Sequence, residues 1–331
     1  MGMAQLGNRL YTGERSVDFI GRRKLWYLIA VLLIAASAVV LVKPGLTFGI
    51  EFEGGSQFTV SSKTDVAPAR EAVASVLPDA NPEVTKLGSN SVRVQTSTVT
   101  TDQLYALRTA LASAYHVSPD DITSSSIGPS WGADVTNKAI TALVVFFVLV
   151  ALVMGLYFRT WTMALASLLA LVHDLVITAG VYAVVGFEVT PASVIGFLTI
   201  LGYSLYDTVV VFDKVRENTT DAFLHRDRTF SAAANLAVNQ TVVRSVNTTV
   251  VALLPVAAIL FIGDLLLGAG TLRDISLALF VGMLVGAYSS IFVATPLLVD
   301  MRRREAGVRK LARDVDEHRA VPGGVAEPSS A

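Results

Sequence analysis

An acidic residue, Asp207, interrupts an apolar run in the stretch GYSLYDTVVVFDKVREN. If Asp213 marks the end of that run, Asp207 lies about 9 Å inside it at about 1.5 Å per helical residue. An aspartate at the centre of a membrane helix costs about 2.5–3.5 kcal/mol on insertion scales, so it is expected to face a partner or water and to have a function. A buried carboxyl group can bind and release a proton, which makes Asp207 a candidate for proton transfer.

Arg244 is the candidate partner of Asp207, because it stands where another apolar run begins in NQTVVRSVNTTVVALLP. Asn247 and Thr248 follow one turn later on the same helical face. An arginine favours the charged carboxylate whereas burial favours the neutral acid, so together they can allow a proton to be gained and lost in each cycle. The alternative is a permanent ion pair that only fastens one helix to the next.

A second polar pair, His173 and Asp174, lies in the run WTMALASLLALVHDLVITAGVYAVVG. The pair is about 18 Å from Trp161 along a helix, which is close to the middle of a bilayer core about 30 Å thick. We interpret this pair as a polar contact between helices, and a role in proton movement is the alternative.

Six apolar runs must position these side chains, and each is about as long as the 20 residues that cross a bilayer. The runs are Leu25–Val42, Ala139–Phe158, Trp161–Gly186, Pro191–Phe212, Ser245–Gly263 and Ile275–Val299. The chain of 331 residues is 53% apolar. We therefore predict a membrane protein with six transmembrane α-helices.

Basic residues cluster before the first run, at Arg159, between Lys214 and Arg244, and after Arg302. All these clusters lie on one side of a six-helix model, so the positive-inside rule places both termini in the cytoplasm. We predict a cytoplasmic segment at 1–24, helix 1 at 25–42, helices 2–6 within 138–300 with a cytoplasmic loop at 213–240, and a disordered cytoplasmic tail at 301–331. The net charge of −1 argues against a nucleic-acid partner.

Residues 43–137 are predicted to form a domain outside the cytoplasm, with the element order βαββαβ. The hairpin is expected to turn near Gly88–Asn90, and the second helix to be capped by Thr101 or Asp102. This order is typical of the ferredoxin-like α+β fold. The glycine-rich GLTFGIEFEGGSQF is predicted to be a loop with tight turns, and Ser124–Gly132 a flexible hinge.

Small residues indicate how the helices pack. Gly282 and Gly286 form a GxxxG face, and Gly196 and Gly202 give the fourth run a smooth strip. Pro255 predicts a kink in the fifth run. The segment Thr229–Val243 is expected to lie along the membrane surface.

The sequence contains no nucleotide-binding loop and no HExxH or GxSxG motif, so an enzymatic activity is not expected. With no cysteine, it also lacks disulfides and thiolate metal sites, and we predict no metal site and no cofactor. The membrane potential is another energy source. It supplies about 2.3 kcal/mol per charge per 100 mV, which shifts a two-state equilibrium about 40-fold.

Four segments together resemble the SecD/SecF family of protein-export membrane proteins, on its SecF side. They are FGIEFEGGSQF, HDLVITAGVYAVVGFEVTPASVIGFLTILGYSLYDTVVVFDKVREN, NQTVVRSVNTT and GAYSSIFVATPLL. The resemblance implies half of an RND-superfamily transporter in the bacterial cytoplasmic (inner) membrane, with protons as the coupling ion. It also implies three kinds of partner: SecD, the SecYEG translocon and the preproteins that leave on the outer side.

The family's functional residues can be carried over one at a time. The aspartate of its GYSxxDT motif falls on Asp207 and the arginine after NQT falls on Arg244, and both are implicated in proton passage in the family. The HD pair falls on His173 and Asp174. Tyr206 stands where the family usually has Asn, which puts in doubt the polar neighbour of Asp207 because Tyr is bulkier.

Two functions of other classes compete with proton-driven export. One is a small-molecule exporter of RND type, which usually carries two six-helix units in one chain, so this chain would need a dimer. The other is a passive assembly subunit, in which Asp207 and Arg244 form a fixed ion pair. Exchanging the two charges would preserve the function of a passive subunit and abolish that of a relay.

Overall fold

The computed structural model describes residues 3–61, 63–87, 91–263 and 270–320. Six long apolar helices in this part can cross a membrane by length and composition, which confirms the predicted number of spans. They are α2 (Arg23–Val42), α6 (Pro129–Phe158), α7 (Trp161–Val185), α8 (Pro191–His225), α9 (Phe230–Ala257, continued as a π-helix over Ala258–Gly263), and α10 (Gly270–Ser289) with its continuation. That continuation is a π-helix, Ser290–Ala294, followed by α11 (Thr295–Arg302).

The helices α7, α8 and α10 form the buried centre of the bundle. Asp174, Ser204 and Ser289, one from each of them, are all shielded from solvent. In contrast, α2, α6 and α9 bury little of their apolar surface within the chain. Their large exposed side chains are suited to lipid or to a membrane partner.

The domain between α2 and α6 contains four strands, β2 (Gly55–Ser61), β3 (Glu83–Leu87), β4 (Ser91–Thr96) and β5 (Ile122–Ile127). They pair antiparallel in the order β3-β4-β2-β5. The helices α4 (Ala67–Val76) and α5 (Thr101–Tyr115) share one apolar core with this sheet. The elements follow the predicted βαββαβ order, and the strand order is compatible with a ferredoxin-like arrangement.

Several details of this domain differ from the sequence predictions. Thr100, not Thr101 or Asp102, caps α5, because its hydroxyl accepts the Gln103 backbone N–H in a capping box. The turn expected at Gly88–Asn90 lies outside the described residues. The glycine-rich segment is not only a loop, since it contains β1 (Thr47–Phe48) and the single turn α3 (Ile50–Glu53).

The expected hinge at Ser124–Gly132 is not seen. Residues up to Ile127 pair in β5, and Pro129 starts α6 immediately afterwards, so the predicted boundary at residue 137 falls inside this helix. Gly132 packs against the backbone of Phe52, where a Cβ atom would lie 2.5 Å from the carbonyl oxygen. This close approach holds the first turn of α6 against α3.

The end of the bundle that carries both chain ends, here called the termini side, is more ordered than the sequence predicts. The predicted loop at 213–240 is helical except for a short connection, because α8 runs to His225 and α9 starts at Phe230. Within the stretch expected on the membrane surface, Ala233, Ala237 and Val238 are fully buried. Small side chains allow this close packing, and the helix continues directly into the membrane span.

Both chain ends add helices to the termini side. The N-terminal segment includes α1 (Met3–Thr12), and the predicted disordered tail includes α12 (Ala306–Ala320), which buries Val308, Leu311 and Val315. Residues 321–331 lie outside the described residues.

Two amides of α9 hold the N-terminal segment in place. The Asn239 side chain accepts from the Val17 N–H at 2.8 Å and donates to the Val17 carbonyl at 2.9 Å. Asn235 accepts from the N–H groups of Phe19 and Ile20. The segment therefore finds its backbone partners on α9 rather than in a helix of its own.

Candidate functional site

Asp207 lies on the inner face of α8 and is only 8% exposed. The Ser245 hydroxyl of α9 donates to Oδ1 at 2.7 Å, and the Ser290 hydroxyl donates to Oδ2. Within the described part of the chain, this carboxyl group has no ion pair with Lys, Arg or His. The site therefore consists of one carboxyl group and two hydroxyl groups from three helices.

Asp174 forms a second site of the same kind on α7. Its Oδ2 accepts from Ser204 of α8 at 2.5 Å and from Ser289 of α10 at 2.8 Å. Its Oδ1 lies 3.0 Å from His173 Nδ1. The interpretation as a polar contact between helices agrees with this geometry, because one carboxyl group joins three spans.

The adjacent Ser289 and Ser290 connect the two sites, since Ser289 donates to Asp174 and Ser290 donates to Asp207. The helix widens into a π-helix from Ser290 to Ala294. Such a widening is frequent at functional sites and turns successive side chains in different directions. The prediction from the sequence for this span rests on its small residues, whereas the signal that reveals the site is a pair of hydroxyl side chains inside an apolar span.

Arg244 does not contact Asp207. Its side chain is exposed on the outer face of α9, and Nη2 donates to the Tyr206 hydroxyl at 3.3 Å. The physical reason is helical geometry: neighbouring residues differ by about 100° around the axis, so Ser245 faces inward where Arg244 cannot. The expected direct ion pair is therefore replaced by a contact between two side chains on the outside of the bundle.

Tyr206, Asn247 and Thr248 belong to this outer face. Tyr206 is 55% exposed and points away from the two serines that hold Asp207. Asn247 is exposed, and the Thr248 hydroxyl donates to the Arg244 carbonyl at 2.9 Å. The structure thus divides the predicted polar residues into a buried carboxyl and serine set and an exposed face around Arg244.

Three of the four predicted packing glycines lie between α8 and α10. A Cβ atom added to Gly282 would meet Ile200, one added to Gly286 would meet Ser204, and one added to Gly196 would meet Ala278. Gly202 differs, since a Cβ atom there would have open space around it. It lies on the same outer face as Tyr206, one turn away.

The domain contacts the bundle through Glu188, which follows α7. Its carboxylate forms an ion pair with Arg93 of β4 and accepts from Gln95 at 3.3 Å. Beside this contact, β1 pairs in parallel with the short strand β6 (Glu188–Val189).

Burial raises the pKa of the Glu83 carboxyl group, and the nearby carboxylates of Glu188 and Glu53 raise it further.

Chemically, the two carboxyl sites can hold a proton without rearranging. A hydroxyl group donates to a carboxylate and accepts from a carboxylic acid, so each serine satisfies either state.

The described residues contain no group of three or more His, Cys, Asp or Glu side chains placed to bind a metal. Among these residues, His173 Nε2 is buried and has no hydrogen-bond partner.

Two family models match the chain. Residues 107–304 match the model "Protein export membrane protein SecD/SecF, C-terminal", and residues 39–66 match "SecD/SecF GG Motif". The second match covers the glycine-rich segment in which β1 and α3 lie.

The chain is similar over nearly its whole length to curated relatives. It is 47% identical to a protein of Streptomyces coelicolor named protein translocase subunit SecF, covering 99% of this chain and 88% of the relative. It is 44% identical to a protein of the same name from Mycobacterium tuberculosis, covering 98% of this chain and 76% of the relative.

Solved structures of SecDF have a fold similar to that of this chain. A crystal structure of SecDF from Thermus thermophilus, described as a translocon-associated membrane protein, has a TM-score of 0.75 and 31% identity over 88% of this chain. The matched region is 39% of that longer protein. A second SecDF structure, in a super-membrane-facing form, has a TM-score of 0.63. The family models and full-length relatives together show that this chain belongs to the SecD/SecF family of protein-export membrane proteins, as a SecF-type subunit of the Sec protein translocase.

Proposed function

We propose that this SecF-type subunit uses the proton gradient, together with SecD, to drive the late translocation of preproteins through SecYEG. In this proposal Asp207 binds and releases the proton. The termini side faces the cytoplasm of a bacterium, in line with its basic clusters, and the sheet domain works at the outer surface of the inner membrane.

The observation that carries the proposal is the uncompensated carboxyl group of Asp207. A permanent charge in this position would be expected to have a permanent cation beside it, because an unpaired buried charge is unfavourable. Two serine hydroxyls surround the group instead, and each can donate to the carboxylate or accept from the carboxylic acid. This environment supports a role in which the charge changes during each cycle.

The position of Arg244 supports a switch rather than a fixed ion pair. Its contact with the Tyr206 hydroxyl is long, and Tyr206 is the chain neighbour of Asp207. Arg244 is also the chain neighbour of Ser245, which donates to Asp207. Rotation of α9 about its own axis, through part of the roughly 100° that separates the two residues, would replace the hydroxyl with a guanidinium at the carboxyl group. The guanidinium would favour loss of the proton.

The exposed face around Arg244 supports the partnership with SecD. An exposed arginine in an apolar span is unfavourable in lipid, and Gly202 leaves room for another helix to approach. The relatives from Thermus thermophilus are named SecDF, in agreement with such a pairing. We propose that the membrane helices of SecD cover this face.

The test is proton-dependent translocation in vesicles that contain this subunit, SecD and SecYEG. Replacing Asp207→Asn keeps the size and the hydrogen-bonding oxygen but removes the titrating group. We expect translocation in response to a proton gradient to fall to the level of vesicles without the subunit, with assembly unchanged.

The control is Asp213→Asn, which removes an exposed carboxylate six residues later on the same helix. Full activity is expected there. If Asp207→Asn translocates normally under a maintained gradient, the proton-transfer role is wrong, and a passive assembly subunit becomes the better description. A drug-accumulation assay on the same vesicles tests the remaining alternative of a small-molecule exporter.

A further inference from the structure

We propose that the termini side carries a binding site for the phosphate of an anionic phospholipid, formed by Arg303, Arg304 and Arg309. These three side chains and Asp300 line a cavity where α11 ends and α12 begins. The functional proposal makes no use of this cavity, which lies at the opposite end of α11 from the serine pair.

Among the described residues, Asp300 is the one acidic group that lines this cavity, and it is already engaged. Asp300 forms an ion pair with Arg23 Nε at 3.0 Å and accepts from the Tyr27 hydroxyl at 2.9 Å. Its negative charge is therefore directed toward the start of α2. The arginines around it are left with an excess of positive charge.

The three arginines have no acidic partner within the described residues, since none of the ion pairs found there includes them. Their neighbour Arg302 is different: it pairs with Glu305 at 3.0 Å and lies over the Phe230 ring. A cluster of free guanidinium groups is suited to phosphate, because each can donate two parallel hydrogen bonds to its oxygens.

The surroundings favour a lipid over a soluble phosphate. Trp26 and Tyr27 place this end of the bundle at the depth where aromatic side chains meet the headgroups. On α2, Lys24, Leu28 and Val31 follow one another along a single side of the helix, and the last two are 56% and 60% exposed. The strip begins one residue after Arg23, which pairs with Asp300 of the cavity, so the acyl chains of a bound lipid would have an apolar surface at the same end of the bundle.

The experiment measures lipid binding to the purified full chain by native mass spectrometry, with phosphatidylglycerol and phosphatidylcholine as probes. The test variant is Arg303→Gln/Arg304→Gln. The control is Arg15→Gln/Arg228→Gln, which removes the same charge elsewhere on the termini side. We expect the test variant to lose phosphatidylglycerol affinity roughly 25-fold, from the usual contribution of two basic residues near an anionic surface. The test variant should bind phosphatidylcholine as the unmodified chain does, and the control variant should keep the affinity of the unmodified chain for phosphatidylglycerol.

A second variant guards against altered membrane insertion. Arg303→Lys/Arg304→Lys keeps the charge and therefore the topology. It removes the bidentate hydrogen bonds to phosphate, so we expect a loss of phosphatidylglycerol affinity smaller than that of the Gln variant. Equal losses in the test and control variants would overturn the proposal, as would equal binding of the two lipids by the unmodified chain. Displacement of bound lipid by millimolar inorganic phosphate would assign the cavity to a soluble anion and overturn the lipid assignment.

Discussion

Asp174 and Asp207 have the same kind of hydrogen-bond donors, two serine hydroxyls each, but differ in what lies around them. Each carboxyl group accepts from two serine hydroxyls, and one serine of each pair comes from the doublet Ser289–Ser290. Asp174 has His173 as an additional partner and is 1% exposed. Asp207 is next to the open face that carries Tyr206 and Arg244.

This difference in surroundings indicates different roles for the two carboxyl groups, one in holding helices together and one in proton transport. Asp174 is enclosed at the packed centre of the bundle with His173 beside it, so any change of its charge must be absorbed there. A carboxyl group beside an open face can respond to a partner helix or to water that reaches that face. We therefore propose that Asp174 chiefly stabilises the bundle and that Asp207 transfers protons.

The largest expected effect separates the two aspartates directly. Asp174→Asn should lower the free energy of unfolding by about 1–3 kcal/mol, because Ser204, Ser289 and His173 lose their charged acceptor and hydrogen bonds to a neutral amide are weaker. Asp207→Asn should abolish proton-driven translocation with a smaller loss of stability. Thermal unfolding in detergent and vesicle translocation measure both quantities. Equal stability losses with equal translocation would remove the distinction.

Two glycine substitutions test the contrast between the buried and the open side of α8. Gly282→Ala should destabilise the bundle by about 1–3 kcal/mol, because the new methyl group would overlap Ile200. Gly202→Ala should leave the stability of the isolated chain unchanged or raise it by up to about 1 kcal/mol, since the space there is open and Ala favours the helix. A reduced recovery of SecD with Gly202→Leu, at unchanged stability, would locate the partner on this face. A large loss of stability in Gly202→Ala would contradict the open-face description.

The serine doublet provides a smaller and more selective test. Ser289→Ala removes a hydrogen bond to Asp174 and should reduce stability by about 1 kcal/mol with translocation preserved. Ser290→Ala removes one to Asp207 and should alter the pH dependence of translocation instead. Indistinguishable profiles for the two variants would mean that the doublet acts as one unit.

The smallest expected effect is that of Tyr206→Phe. It removes only the hydroxyl that receives the Arg244 guanidinium, worth a few tenths to about 1 kcal/mol at an exposed position. We expect translocation to persist with a shifted pH optimum, because Arg244 is then freer to approach Asp207. An unchanged pH profile would show that the contact has no part in the cycle.

The features that the sequence predicts correctly are those that have a long physical pattern. Spans of about 20 apolar residues and the alternation of β2 and β4 predicted the six helices and the sheet. Asp207 was identified because a carboxyl group in an apolar run is unfavourable without a function. These features depend on the local chain alone.

The predictions failed where the outcome depends on which side of a helix faces a neighbour. The pairing of Asp207 with Arg244 was inferred from depth, but rotation about the helix axis decides the contact and gives it to Ser245. The sequence predicts a loop at 213–240 and a disordered segment at 301–331. Residues 213–225, residues 230–240 and, within the tail, Ala306–Ala320 are helical instead. The buried positions of the termini side are shared among distant segments, and no segment alone reveals them.

The amide contacts between α9 and the N-terminal segment bear on how the protein is made. Val17 and Asn239 are 222 residues apart, so their hydrogen bonds cannot form until almost three quarters of the chain has been synthesised. At about 5–20 residues per second, the N-terminal segment waits on the order of 10–40 s at the ribosome after α2 has entered the membrane. During that interval its backbone groups must be satisfied by water or by a chaperone, and the arrival of α9 completes the assembly of the first residues translated.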